Sequence, residues 1–186
     1  GDTDIPMDLR HALAGLLDQI TACQDAMQAI EKHLAQIAQR DTRSQRLMAA
    51  SGVGLITATA MSAGIGDFAR FPSGRHFASA LGLTPREYSS GGTRKLGRIT
   101  KQGDVYLRTL LIHGARSALV VAAAAKKRDQ PLDRTQQWAL ALAERKGHNK
   151  AAVALANKVA RRLWAAEHHG TSFDPEHVSR RESCAV

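Results

Sequence analysis

The chain has 186 residues, 4% aromatic content and a formal net charge of +9. That length allows one helical body plus an appendage, and an apolar set dominated by alanine and leucine suits helix-on-helix packing rather than a β-sandwich. No apolar run approaches a membrane span, no signal peptide opens the chain, and Cys23 and Cys184 lack metal-ligand spacing, which leaves a reducing cytoplasm with no structural zinc.

The charge is unevenly spread. Residues 1–42 hold three Lys/Arg against seven Asp/Glu, a net −4, whereas residues 43–186 hold 23 against ten, a net +13. A basic body of this kind concentrates polyanions around itself, so nucleic acid is the expected partner. Gly1 in place of methionine suggests that upstream sequence is missing.

Residues 1–7 form a short polar lead, expected to be poorly ordered. From there Leu9, Leu13, Leu16, Ile20, Cys23, Met27, Ile30, Leu34 and Ile37 recur in alternating steps of four and three. This heptad seam predicts a coiled coil or helical arm from about Asp8 to Arg40, roughly 50 Å long at 1.5 Å per residue. So narrow a stripe needs a partner. A second copy, pairing through residues 9–37 into a dimer or tetramer, is one solution. Packing against the chain's own C-terminal helices is the other, kept open by Leu17 beside the seam. Cys23 reads as a small core residue.

Asp41-Thr42-Arg43-Ser44 is a turn with capping residues, followed by a short helix through Met48 and Ala49. Gly52-Val53-Gly54 then joins it to a second helix ending near Gly64-Ile65-Gly66, the pattern of a helix-hairpin-helix. Gly52 and Gly54 either present backbone N–H groups to a phosphate or serve a tight helix–helix corner sterically. Asp67 reads as a cap, Phe68 and Phe71 as core anchors beneath the loop that follows, and Ser73 as the N-cap of a helix through Leu81.

Residues 85–103 carry four glycines behind Pro85, which argues against a helix and predicts a loop between helices. Ser89 and Ser90 precede the turn-forming pair Gly91-Gly92, and Arg94, Lys95, Arg98 and Lys101 follow within eight positions. Glycine backbone can approach a phosphate closely and the cations can neutralise it. Either the loop grips a nucleic-acid backbone without chemistry, or Ser90 or Ser89 is a nucleophile.

Asp104 is placed to cap a helix from Val105 to about Lys126, whose apolar side carries Leu107, Leu110, Leu111, Ala115 and Leu119. Arg108 could reach back to the serine loop or be a solvated helix residue, and His113 reads as structural. A basic corner at 126–131 breaks the helix. Pro131 is expected to open the next one, through Trp138 to about Glu144, and a second basic turn at 145–150 leads into a last helix. That helix carries Val153, Ala156, Val159, Ala160 and Leu163 on its apolar side, with Lys158, Arg161 and Arg162 adding charge. Trp138 and Trp164 are expected in the core. The reading is an all-α fold with an arm at 8–41, a body at 44–168 and a disordered tail at 169–186.

The order Gly82-Leu83-Thr84-Pro85, Ser90-Gly91, Gly97-Arg98-Ile99-Thr100-Lys101-Gln102-Gly103 and Leu107-Arg108-Thr109-Leu110-Leu111 resembles the C-terminal domain of the insertion-sequence-110 transposases, the bridge-RNA-guided DNA recombinases. The resemblance runs from about Leu47 to Leu119. It implies that the serine followed by glycine, Ser90, attacks DNA to form a covalent phosphoserine intermediate during strand exchange, with Ser89 as the alternative. It implies that Arg108 belongs to the same motif. It also implies DNA and a guide RNA as partners, a location with the bacterial nucleoid in the cytoplasm, and Mg²⁺ bound by four acidic residues of an N-terminal RuvC-like domain. That domain is not in this sequence, so the chain is expected to bind nucleic acid and self-associate but not to cut by itself.

On the residues alone, Arg94, Arg98, Lys101 and Arg108 suit stabilisation of a phosphorane-like transition state. A serine–DNA link conserves the phosphodiester energy for rejoining. Asp67, Glu87 and Asp104 are single acids and form no metal-binding cluster. No Gly-x-Ser-x-Gly elbow or P-loop is present, which excludes a serine hydrolase of that type and an NTPase. The rivals are a non-catalytic helix-hairpin-helix DNA-binding module with a coiled-coil dimeriser, and a structural coiled-coil protein whose basic body is incidental.

Overall fold

The computed structural model describes residues 6–171, 173 and 174, so Cys184 and most of the tail at 169–186 lie outside the described residues. The elements run α1 (Met7–Arg40), α2 (Thr42–Met48), α3 (Leu55–Ile65), a 3-10 turn (Phe68–Arg70), α4 (Gly74–Ala80), β1 (Pro85–Glu87), β2 (Leu96–Ile99), α5 (Val105–Lys127), α6 (Arg134–Lys146) and α7 (His148–His169). The fold is mainly helical, as expected. The expected loop is instead a β-hairpin.

Polar caps set the helix boundaries. Asp41 ends α1 and starts α2. Its carboxylate accepts from the Arg43 and Ser44 amides at 3.0 and 3.2 Å and from the Ser44 and Ser62 hydroxyls, both at 2.6 Å. One side chain thereby holds the junction of α1, α2 and α3. The Ser44 and Ser62 hydroxyls lower its pKa to about 2. Asp67, Ser73 and Asp104 cap the segments after them. The α6 boundary departs from expectation. Asp133, not Pro131, starts the helix, forming a reciprocal capping box with Gln136. The second basic turn shrinks to Gly147, between α6 and α7.

The core is built around α7, which packs against α4, α5 and α6. Its buried stripe is Ala151, Ala152, Leu155, Ala156, Val159, Ala160, Leu163 and Trp164, so Leu155 lies inside where Val153 was expected, and Val153 is half-buried. Small residues on this face let the neighbouring helices approach closely, and the few aromatics fill the remaining space. Phe77 takes Phe68 and Phe71 at ring distances of 5.3 and 5.1 Å. The Trp164 indole N–H donates to the Phe68 and Phe71 carbonyls, both at 3.1 Å. Phe68 and Phe71 therefore anchor α4 and α7 as core residues. Trp138 is half-buried, with the Lys158 ammonium over its ring.

Helix α5 is long and apolar enough to cross a membrane by length and composition, contrary to the expectation that no run comes close. Its inner stripe, Leu107, Leu111, Ala115, Leu119 and Ala122, is buried against the body, and Leu110 is half-buried.

Helix α1 packs mainly against α2 and α3 among the described residues. Ala38 is its one buried residue, while Leu9, Leu16, Ile20, Met27 and Ile30 are each at least half exposed. Cys23 is exposed rather than a core residue. The seam does not fold back on the chain's C-terminal helices. At the other end of the junction, Arg46 forms a two-pronged pair with Glu167 of α7 at 2.9 Å per bond, and Arg43 lies 3.4 Å from the same carboxylate.

Candidate functional site

Ser89 and Ser90 lie at the end of an antiparallel hairpin. Pro85 pairs with Ile99 and Glu87 with Leu96, with an irregularity between them. The ladder continues through the Tyr88 amide, which donates to Lys95 O at 2.8 Å, and ends where Ser90 and Thr93 exchange amide bonds of 3.3 and 3.0 Å. Gly91 and Gly92 make the two-residue turn with φ of +56° and +78°. Two consecutive positive φ angles are the primed turn that matches strand twist, and glycine adopts them without strain. Serine–glycine–glycine–threonine is thus a hairpin signature, missed by reading the glycines only as helix breakers.

The two serines differ in their surroundings. The Ser89 hydroxyl donates to Glu87 Oε1 at 2.6 Å and accepts from the Lys95 amide at 3.2 Å. Arg94 Nε lies 3.5 Å from the same Glu87 oxygen. Ser90 is pinned through its backbone, and its exposed hydroxyl has no hydrogen bond among the described residues. Glu87, an isolated acid in the sequence, is therefore part of the serine cluster. Only the two-residue alternation along a strand could have revealed this.

The cations divide into two groups. Arg94, Lys95, Arg98 and Lys101 are exposed on or just beyond the hairpin, with Lys101 in a left-handed conformation at φ +58°. Such a row can neutralise consecutive phosphates of a strand lying along it. Arg108 is not among them. It is buried and donates to Leu81 O at 3.2 Å and Asp104 O at 3.5 Å. It closes the C-terminal end of α4 against the start of α5, so it neither reaches the serines nor faces solvent.

Gly52 and Gly54 lie on the α2–α3 turn, apart from the hairpin. Gly52, at φ +84°, packs on the backbone of Gly114 in α5, so the steric role describes it. Gly54 is the exposed N-cap residue of α3, with no side-chain cap bond and open space around it. Both line a shallow groove of about 700 Å³ shared with Leu110, His113 and Ser117. His113 is exposed on that groove instead of being structural. Along α5, Gly114 is about 14 Å at 1.5 Å per residue from Val105, the end of the helix that follows the hairpin. The two candidate phosphate-binding elements are therefore separate sites on the body. Among the described residues, no group of three or more His, Cys, Asp or Glu could hold a metal ion.

Comparison with known proteins bears on the same stretch. Residues 44–130 match the model of the transposase IS116/IS110/IS902 family. The chain is 42% identical over 171 residues to a probable family 20 transposase of Pseudomonas aeruginosa, covering 92% of this chain and 49% of that protein. It is 38% identical over 157 residues to the transposase for insertion sequence element IS1111A of Coxiella burnetii, covering 84% and 42%. With the transposase for insertion sequence element IS1328 of Yersinia enterocolitica it shares 35% identity over 170 residues, covering 91% and 49%. The chain spans about half the length of the curated relatives it matches.

Proposed function

The chain belongs to the IS110-type transposases through its residues 44–130, and from that membership we propose that it is the part of a DNA recombinase that supplies the attacking serine. The observation that carries this is the position of Ser90. Its backbone is fixed by the Thr93 pair while its hydroxyl stands unbonded at the tip, with cations along the strand that follows. A nucleophile needs that combination of a rigid support and a free lone pair.

As the Ser90 Oγ–P bond forms, the serine proton leaves to water. The P–O bond to the departing deoxyribose oxygen breaks, and that oxygen takes up a proton. The covalent phosphoserine ester keeps the phosphodiester energy, so an incoming strand hydroxyl can reverse the attack and reseal the DNA. Arg94, Arg98 and Lys95 counter the charge that develops on the equatorial oxygens. The described residues do not fit a magnesium site, so the Mg²⁺ implied by the resemblance would be held by acidic residues of a RuvC-like domain in the longer protein. A guide RNA and a second copy of the chain, joined through the exposed α1 seam, complete the proposed assembly.

A second reading has its own observation. The 2.6 Å bond from Ser89 to Glu87 gives that serine a base, and Arg94 holds the carboxylate in place. The pair Ser90→Ala and Ser89→Ala decides between them in the full-length protein with its RNA and magnesium. Ser90→Ala should abolish the covalent DNA adduct and strand exchange while leaving DNA binding intact, and Ser89→Ala should only reduce them. An adduct lost in Ser89→Ala but kept in Ser90→Ala moves the attack to Ser89. An adduct surviving the double variant would sink the serine mechanism for this loop.

A further inference from the structure

A second basic cluster lies at the root of the hairpin, made by residues far apart in sequence. Gly74, the first residue of α4, packs so tightly on α7 that a Cβ there would be 2.9 Å from the Arg161 carbonyl oxygen and 3.1 Å from its Cα. This crossing sets Arg75 beside Arg161. One helical turn earlier on α7, Asn157 Nδ2 donates to Leu83 O at 3.0 Å, fixing the chain that enters β1 against the same helix. Between these anchors is an open cleft of about 400 Å³ lined by Arg75, Thr84, Pro85, Arg94, Asn157 and Arg161.

The charges in this cleft are unbalanced. No acidic side chain lines it, and neither Arg75 nor Arg161 forms a salt bridge among the described residues. Desolvation, and secondarily the charge of Arg75, push the Arg161 pKa below the usual arginine value. Two exposed arginines whose backbones are brought together by this packing lack a counter-charge that a phosphate would supply. Arg94 is shared, lining the cleft and pairing with Glu87 near the tip.

We propose that Arg75, Arg161 and Arg94 form a binding site for a backbone phosphate of the DNA strand on which the serine tip acts. This rests on the proposed function. Five residues of hairpin separate Pro85 from Ser90, at most ~17 Å at 3.3 Å per residue. That is about five base-pair steps at 3.4 Å each. The cleft thus holds the strand a few nucleotides from the phosphate under attack and fixes its direction across the hairpin.

The test is the salt dependence of duplex DNA binding by this 186-residue chain, with single-stranded RNA and inorganic phosphate as parallel arms. Arg75→Gln with Arg161→Gln should lower the slope of log K against log salt by about 0.9, one phosphate contact. Arg161→Lys should keep the slope. Thermal midpoints should not fall in the double variant, because a repulsion has been removed. Phosphate should raise the midpoint of the unmodified chain and of Arg161→Lys, but not of the double Gln variant.

Three results overturn the site while leaving the nucleic-acid reading in place: an unchanged slope in the double variant while Arg98→Ala still lowers it; a slope change confined to RNA; or lost phosphate stabilisation with normal DNA binding, which marks a small-anion site. A large fall in thermal midpoint would also overturn it, by making the pair structural. Failure of the unmodified chain to bind DNA at all would overturn both readings.

Discussion

Gly52 and Gly114 meet backbone to backbone: a Cβ on Gly114 would be 1.8 Å from the Gly52 carbonyl oxygen, and one on Gly52 would be 2.6 Å from that of Gly114. This contact sets the distance between the α2–α3 turn and the central helix α5. Alanine is preferred over glycine within a helix by about 1 kcal/mol. The clash should outweigh that preference, and Gly114→Ala should cost about 2–4 kcal/mol by chemical denaturation. Gly54→Ser, which meets open space and gains an N-cap side chain, should be neutral or stabilising. Equal losses in both variants would show that the crossing is not the cause.

The exposed α1 seam makes oligomeric state the next measurement. Ile20→Glu with Met27→Glu puts charge on positions 53% and 61% exposed in the single chain. The variant should be monomeric by light scattering, with monomer stability within about 0.5 kcal/mol of the parent. An unmodified chain that stays monomeric at every concentration would remove the seam from the assembly.

Arg108 separates a structural cation from a binding one. Arg108→Ala leaves the buried Leu81 carbonyl without its 3.2 Å donor and should destabilise the body by about 1–3 kcal/mol. Its salt slope for DNA should match the parent's, unlike that of Arg98→Ala. A slope lowered by about one unit would return Arg108 to the phosphate-binding set.

Asp41 predicts a defined acid response. Its pKa is lowered from 3.8 to about 2, so the folded state favours the carboxylate. Its contribution is fully present above the unfolded value, near pH 4, and is lost as pH falls through the folded value near 2. Half-burial leaves solvent screening, so the contribution is on the order of 1 kcal/mol. Asp41→Asn should flatten that part of the stability curve between pH 4 and 2, and an unaltered slope there would mean that the Ser44 and Ser62 bonds do not favour ionisation.

The helices were largely legible in the sequence because short polar residues announced them. Asp41, Ser73 and Asp104 each precede an apolar period and each caps the helix that follows. Asp133 carried the same signal, with Gln136 three residues on, but Pro131 drew the boundary forward. The hairpin was hidden because its strands are short and exposed, lacking the buried alternation that betrays a strand. Ser90 and the basic row could be located, but the bond from Glu87 to Ser89 needed the strand geometry. The pairing of Arg75 with Arg161 could not be read at all, since it depends on how closely Gly74 packs on α7.

The junction at Asp41 also works as a fulcrum. Helix α1 has 34 residues, about 50 Å of rod at 1.5 Å per residue, and its buried residue, Ala38, lies in its last turns. Tilting such a rod by 4° about Asp41 moves its far end by roughly 3.5 Å, close to one base-pair step. Small adjustments among Asp41, Ser44 and Ser62 are therefore magnified along the arm, and in the proposed paired assembly the position of the second body would be set by a few hydrogen bonds at the opposite end of the rod.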